Sequence, residues 1–130
     1  VYKRQTLLSQ VGARDGLRLK GGLAAHQRRL LVEFIDHHLE DPISLGQLAG
    51  LCALSEYHFA RMFRQSFGLP PHQYLLARRL ARAQALLRGG ALPLGEIAWR
   101  CGFSSASHFT HRFRQAMGAT PGEYRQAFCA

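Results

Sequence analysis

The segment HFARMFRQSFGLPPHQY, beginning at His58, returns fifty residues later as HFTHRFRQAMGATPGEY, beginning at His108. The pairs His58/His108, Phe59/Phe109, Phe63/Phe113, Arg64/Arg114, Gln65/Gln115, Gly68/Gly118, Pro71/Pro121 and Tyr74/Tyr124 are identical. A chain of 130 residues that spells one unit twice has to build two like substructures, and no other feature of the sequence restricts its fold as much. The repeat reaches upstream, where Leu94, Ile97, Ala98 and Cys101 follow Leu45, Leu48, Ala49 and Cys52 at an offset of 49, and Gly102-Phe103-Ser104 answers Ala53-Leu54-Ser55. The offset is 50 by His108, which predicts one extra residue within Ser105 to Ser107.

Helical periodicity runs through each unit. From Ala24, Leu30, Leu31, Phe34, Ile35 and Leu39 share one face, with Arg28, Arg29, Glu33, Asp36 and Glu40 elsewhere, until Asp41-Pro42 stops the helix. Ser44-Leu-Gly-Gln47 is a capping box that starts a short helix to about Cys52, with Leu45, Leu48, Ala49 and Cys52 facing inward. Ser55 caps a second helix whose Phe59, Met62, Phe63 and Phe67 face inward and whose end is marked by Gly68. Two helices three residues apart make a helix-turn-helix. A long helix follows from His72 to Arg88, striped by Tyr74, Leu75, Leu80, Ala83, Leu86 and Leu87, and Gly89-Gly90 ends it before the second unit begins. A last short helix starts at Pro121, capped by Thr120. The expected fold is all-α, with about seven helices in two helix-turn-helix subdomains joined by a long linking helix. Its divisions are residues 24–71, the linking helix 72–89, and 90–130, after a glycine-containing linker over 1–23.

Charge indicates what such a fold meets. The net charge is +9, but residues up to Glu56 hold seven Lys/Arg against six Asp/Glu, whereas from Tyr57 onward ten Arg face only Glu96 and Glu123. An arginine excess confined to the repeated half suits a polyanion, since guanidinium forks match phosphate oxygens and guanine edges. Other classes fit poorly. There is no G-x-S-x-G, no metal motif and no paired carboxylates for an enzyme, and the Arg78 to Arg88 stretch is interrupted by Ala and has its apolar face claimed by both units. The alternative with most in its favour is a helical protein-interaction module without DNA affinity. Cys52 and Cys101 read as small buried hydrophobes, because their intervals to His58 and His108 fit no zinc finger; neither a metal nor a cofactor is expected. The polar start VYKRQ resembles no signal peptide, and no apolar run is long enough to span a membrane, so a cytoplasmic protein is expected. Lacking an initiator Met, the chain reads as a piece of something longer.

The second helix of a helix-turn-helix enters the major groove. On it, Tyr57, Ala60, Arg61 and Arg64 form an i, i+3, i+4, i+7 set opposite the phenylalanines, partnered by Ser107, Thr110, His111 and Arg114 in the second unit. Three of the four positions differ between copies while the buried phenylalanines repeat, so scaffold is copied and reading face varied. Arg64/Arg114, outward yet repeated, fits a phosphate clamp. His58 and His108 read as structural or edge residues, Arg78, Arg79 and Arg82 as either backbone-phosphate contacts or ordinary solvated residues of the linking helix, and Trp99 as a packing residue with an edge available to a polymerase subunit.

The stretches SLGQLAGLCALSEYHFARMFRQSFGLPPHQYL from Ser44 and EIAWRCGFSSASHFTHRFRQAMGATPGEYR from Glu96 together resemble the C-terminal DNA-binding domain of the AraC/XylS family of bacterial transcription regulators, over about Ala24 to Phe128. The resemblance implies seven helices, binding to double-stranded promoter DNA in two adjacent major grooves, and activation by contact with RNA polymerase. It implies base or groove contacts from Tyr57, Ala60 and Arg61 in the first unit and from Ser105, Ala106, Ser107, Thr110 and His111 in the second. It also implies an upstream domain for effector binding and dimerisation, connected through residues 1–23. Two departures stand out: Ala60 and Ala106 occupy places where longer polar readers are common, and Pro93 replaces the usual Ser or Thr cap.

Overall fold

The computed structural model describes residues 22–129, so the linker expected over 1–23 lies almost wholly outside the described residues. Those residues form seven helices, with no strand among them: α1 (Ala25–His37), α2 (Leu45–Leu51), α3 (Glu56–Phe67), α4 (Pro71–Gly89), α5 (Leu94–Arg100), α6 (Ala106–Met117) and α7 (Pro121–Cys129). The linking helix α4 starts one residue before His72 and ends at Gly89, one beyond Arg88, and its 19 residues give a rod of about 28 Å.

That rod is shared by two hydrophobic cores. Tyr74 and Leu75 join Leu31, Ile35, Leu48, Phe59, Phe63 and Phe67 in the first, and Leu80, Ala83 and Leu87 join Ile97, Phe109, Phe113, Met117 and Tyr124 in the second. The repeat extends to aromatic geometry. Phe63 meets Tyr74 edge-on at 5.5 Å between centroids, and Phe113 meets Tyr124 edge-on at 5.4 Å. Burial of such ring pairs, with about 0.5–1.5 kcal/mol of additional geometric preference each, accounts for the repetition of Phe and Tyr.

Each helix-turn-helix is bounded by the same local chemistry. Ser44 accepts from the Gln47 amide while Gln47 accepts from the Ser44 amide, the reciprocal box expected for α2. The α2 C-terminus closes as a Schellman turn, Leu54 N–H to Ala49 O and Ala53 N–H to Gly50 O, and α5 closes alike through Phe103 N–H to Ala98 O and Gly102 N–H to Trp99 O. That turn requires a left-handed residue, supplied by Ala53 at φ 56° and by Gly102 at φ 84°. Thr120 and Glu123 form a second capping box at α7, where a cap by Thr120 alone is expected from the sequence. At α5, Pro93 precedes the helix with no side-chain cap.

Several expectations need correction. The extra residue of the second unit sits in the turn and not in the helix: Ser55 and Ser105 are the caps of α3 and α6, both helices have 12 residues, and the insertion is therefore Ser104. Leu30 and Leu45, assigned to apolar faces, are 41% and 37% exposed. Arg28, assigned to the polar face, is buried, because its guanidinium caps the Leu23 carbonyl at 2.7 Å while the Leu23 amide donates to Ser66 Oγ at 2.6 Å. Arg28 thus satisfies the backbone that leads into α1, a role that periodicity alone does not disclose.

Candidate nucleic-acid interface

The two reading helices are presented by their caps. Ser55 Oγ accepts from the His58 amide at 3.2 Å and also lies 2.9 Å from His58 Nδ1. In the second unit these tasks divide: Ser105 Oγ accepts from the His108 amide at 3.0 Å, and the inserted Ser104 places its Oγ 3.3 Å from His108 Nδ1. Both histidines therefore serve the helix starts, as their repetition led us to expect. Ser104 was missed as part of this surface, because the change of offset was placed within Ser105 to Ser107 and Ser104 was matched to Ser55.

Outward from these caps, Tyr57, Arg61 and Arg64 are exposed on α3, and Ala60 is half-buried. Tyr57 is 67% exposed, and Arg61 leans along it, Nη1 3.4 Å from the Tyr57 hydroxyl and the guanidinium carbon 5.8 Å from the ring centroid. The pair forms one flat, cationic and aromatic surface, suited to stacking and hydrogen bonding together. On α6, Ser107, His111 and Arg114 are exposed with Thr110 half-buried, and Ser105 and Ala106 stand exposed at the helix start. Ser105 is committed as an acceptor by its cap, which leaves its hydroxyl proton available as a donor. Arg64 and Arg114 occupy the last turn of each reading helix, and their carbonyls accept from the left-handed Gly68 and Gly118 at 2.8 and 2.9 Å. All ten expected contact residues thus fall on α3, α6 or the cap of α6.

Ala60 differs from the others. It lines an apolar groove of about 350 Å³ with Ile43, Leu45, Leu48, Pro71 and Leu75, so only its methyl face is offered. At the place of Leu75 the second unit has Arg125, whose Nη2 donates to the Leu92 carbonyl.

Arg78 and Arg79 of the linking helix depart from expectation. Arg78 makes a two-pronged pair with Asp36 of α1, Nε to Oδ1 at 3.0 Å and Nη2 to Oδ2 at 2.9 Å. Arg79 donates to two backbone carbonyls beyond α1, Nε to Leu39 O at 3.0 Å and Nη2 to Asp41 O at 2.9 Å. Both guanidiniums are spent within the protein and are not held out for phosphate. Trp99, expected to pack, is 72% exposed on α5, while the core side of that helix is filled by Ile97 and Ala98. Neighbouring Glu96 and Arg100 pair at 3.0 Å. Cys52 and Cys101 are buried free thiols as expected, and burial pushes Cys101 up to about 11 against the opposing effect of Arg82 and Arg79.

Comparison with known proteins agrees with this arrangement. A family profile described as a helix-turn-helix domain matches residues 48–127. The transcriptional activator RhaS of Escherichia coli is 34% identical over 103 residues, which are 79% of this chain and 37% of RhaS. The DNA-binding domain of the global transcriptional factor AdpA, solved in complex with a target DNA, superposes with a TM-score of 0.73 at 33% identity, covering 77% of this chain and 90% of that one. A transcriptional regulator from Chromobacterium violaceum with an AraC-type DNA-binding domain gives a TM-score of 0.71 at 32% identity over 76% of this chain and 88% of that one. The chain spans under two-fifths of the length of the curated relatives it matches.

Proposed function

Because the chain belongs to the AraC/XylS family of transcription regulators, we propose that α3 and α6 are two recognition helices that enter adjacent major grooves of double-stranded promoter DNA. The observation that carries this is the contrast between the two copies. The caps Ser55 and Ser105, the buried pairs Phe59/Phe109 and Phe63/Phe113 and the left-handed stops Gly68 and Gly118 coincide, while Tyr57, Ala60 and Arg61 are replaced by Ser107, Thr110 and His111. In this reading Arg61 hydrogen-bonds a guanine edge with Tyr57 laid against it, and Ala60 and Ala106 offer methyl contact to thymine. Ser107, Thr110 and His111 read the second groove, and Ser105, Arg64 and Arg114 hold phosphates and set register without carrying sequence information.

Residues 24–71 and 90–130 act as two reading subdomains and 72–89 as their spacer, with the cytoplasm as the place of action. The likeness to RhaS, which is itself named an activator, supports activation, and contact with RNA polymerase is part of this reading. Effector response and dimerisation would reach the two lobes from an upstream domain through residues 1–23. Salt dependence tests the DNA assignment. If about six phosphates are met, binding of the chain to a selected duplex should fall with a log-log slope of about −5. A flat slope on every duplex tried would contradict it.

A further inference from the structure

The two lobes meet around Arg79. Its guanidinium reaches from the middle of α4 to the loop after α1, holding Leu39 O and Asp41 O of the first lobe. The other side of the same contact is the left-handed turn of the second lobe. A Cβ built on Gly102 would lie 2.1 Å from Leu39 O and 2.7 Å from Arg79 Nε. A backbone carbonyl of the first lobe, a guanidinium of the linking helix and a side-chain-free turn of the second are therefore packed without a gap. The turn belongs to the segment that carries the cap of α6, so whatever fixes Gly102 fixes the base of the second reading helix. Next to it, Arg78 ties α4 to Asp36 of α1 through two parallel hydrogen bonds, which stops α4 from rolling against the first lobe.

We propose that Arg79 is a positioning residue that sets the angle and distance between the two reading helices, and thereby the spacing of the two half-sites the protein accepts. This rests on the two-groove reading above. One inserted base pair moves the second half-site by about 3.4 Å and turns it by about 35°. A clasped pair of lobes cannot follow that displacement without losing the contacts of one lobe, whereas lobes joined only by α4 and its flanking turns have more freedom to follow. Guanidinium suits this task. It serves two carbonyls from one plane and keeps its charge at any working pH.

The test uses a duplex selected by the wild-type chain and copies of it carrying one or two extra base pairs between the half-sites. Wild-type protein is expected to lose at least about tenfold in affinity on the first insertion, the scale of contacts forfeited by one lobe. Arg79→Ala is expected to bind the original duplex more weakly, and to lose less than about threefold on insertion. Arg79→Lys, which keeps a cation able to reach Leu39 O, should fall between the two. A variant that had only lost stability would weaken on all duplexes in parallel. Far-ultraviolet circular dichroism establishes that each variant is folded, and if Arg79→Ala is not, the spacing profile of Arg79→Lys decides alone. A profile parallel to wild type overturns the positioning role, while absence of salt-sensitive binding by wild type on every duplex overturns the DNA reading beneath it.

Discussion

Gly102→Ala places the packing between the lobes under the most direct strain. The alanine would occupy φ 84°, a conformation that costs an L-residue about 1–2 kcal/mol. Its methyl would start 2.1 Å from the Leu39 carbonyl, so that carbonyl has to retreat by about 1.2–1.5 Å to reach an ordinary C···O contact. Leu39 O is held at 3.0 Å by Arg79 Nε, itself 2.7 Å from the new methyl, and the retreat therefore breaks a charge-assisted hydrogen bond of about 1.5–3 kcal/mol. Against this, alanine lowers the entropy of the unfolded chain by about 0.4–1 kcal/mol. The net expected loss is about 2–4 kcal/mol, or about 8–16 °C in Tm for a domain of this size. Ala53→Gly provides the control, because Ala53 holds the same place in the first lobe, at φ 56°. Relief of strain and added unfolded-state entropy nearly cancel there, and a change within about 1 kcal/mol is expected. Urea unfolding of both variants measures the difference. If Gly102→Ala unfolds within about 0.5 kcal/mol of wild type, the lobes are not packed against each other at this turn and the reasoning fails.

Two further outcomes follow from local chemistry. The backbone amide of Thr120, then its hydroxyl, hold the Glu123 carboxyl below the ordinary carboxylate value, assisted by Arg114. A carboxyl depressed in the folded state contributes stability above its unfolded pKa and loses it as pH falls through the folded one. Glu123→Gln should therefore show a weaker decline in Tm between neutral and acidic pH than wild type, and parallel declines would argue against the cap. Burial pushes the Cys101 thiol up to about 11, so almost none of it is thiolate near pH 8. A short iodoacetamide pulse followed by peptide mass analysis should label Cys101 in urea and not in the folded protein, and equal labelling in both would contradict its burial.

The fold was legible because the repeat compares the chain with itself. Phe59/Phe109, Phe63/Phe113 and Gly68/Gly118 coincide in sequence and then in place, and Ser44, Ser55 and Thr120 announce the starts of α2, α3 and α7 through side chains a few residues away from their partners. What escaped was long-range and backbone-directed. Arg78 and Arg79 look like phosphate ligands until Asp36, Leu39 O and Asp41 O are seen beside them, about forty residues distant in the chain. Arg28 resembles a surface residue until the Leu23 carbonyl appears under it. Trp99 was expected to pack with an edge left outward, but the buried residues of α5 are Ile97 and Ala98, and Trp99 stands on its exposed side. The ten candidate contact residues came from helical spacing and from family resemblance, and the structure adds Ser104 beside them.

On the proposed reading, the two units share one scaffold and ask different questions of DNA through Tyr57, Ala60 and Arg61 against Ser107, Thr110 and His111. Binding of Arg61→Ala and Arg114→Ala, each to a selected duplex and to scrambled DNA, tests it most directly. Arg61→Ala should lose about 1–3 kcal/mol on the selected duplex and little on the scrambled one, because position 61 differs between the copies and carries sequence information. Arg114→Ala should weaken both duplexes alike and reduce the salt slope by about one, because position 114 repeats and holds phosphate. Equal losses for both variants on both duplexes would contradict the division between scaffold and reader.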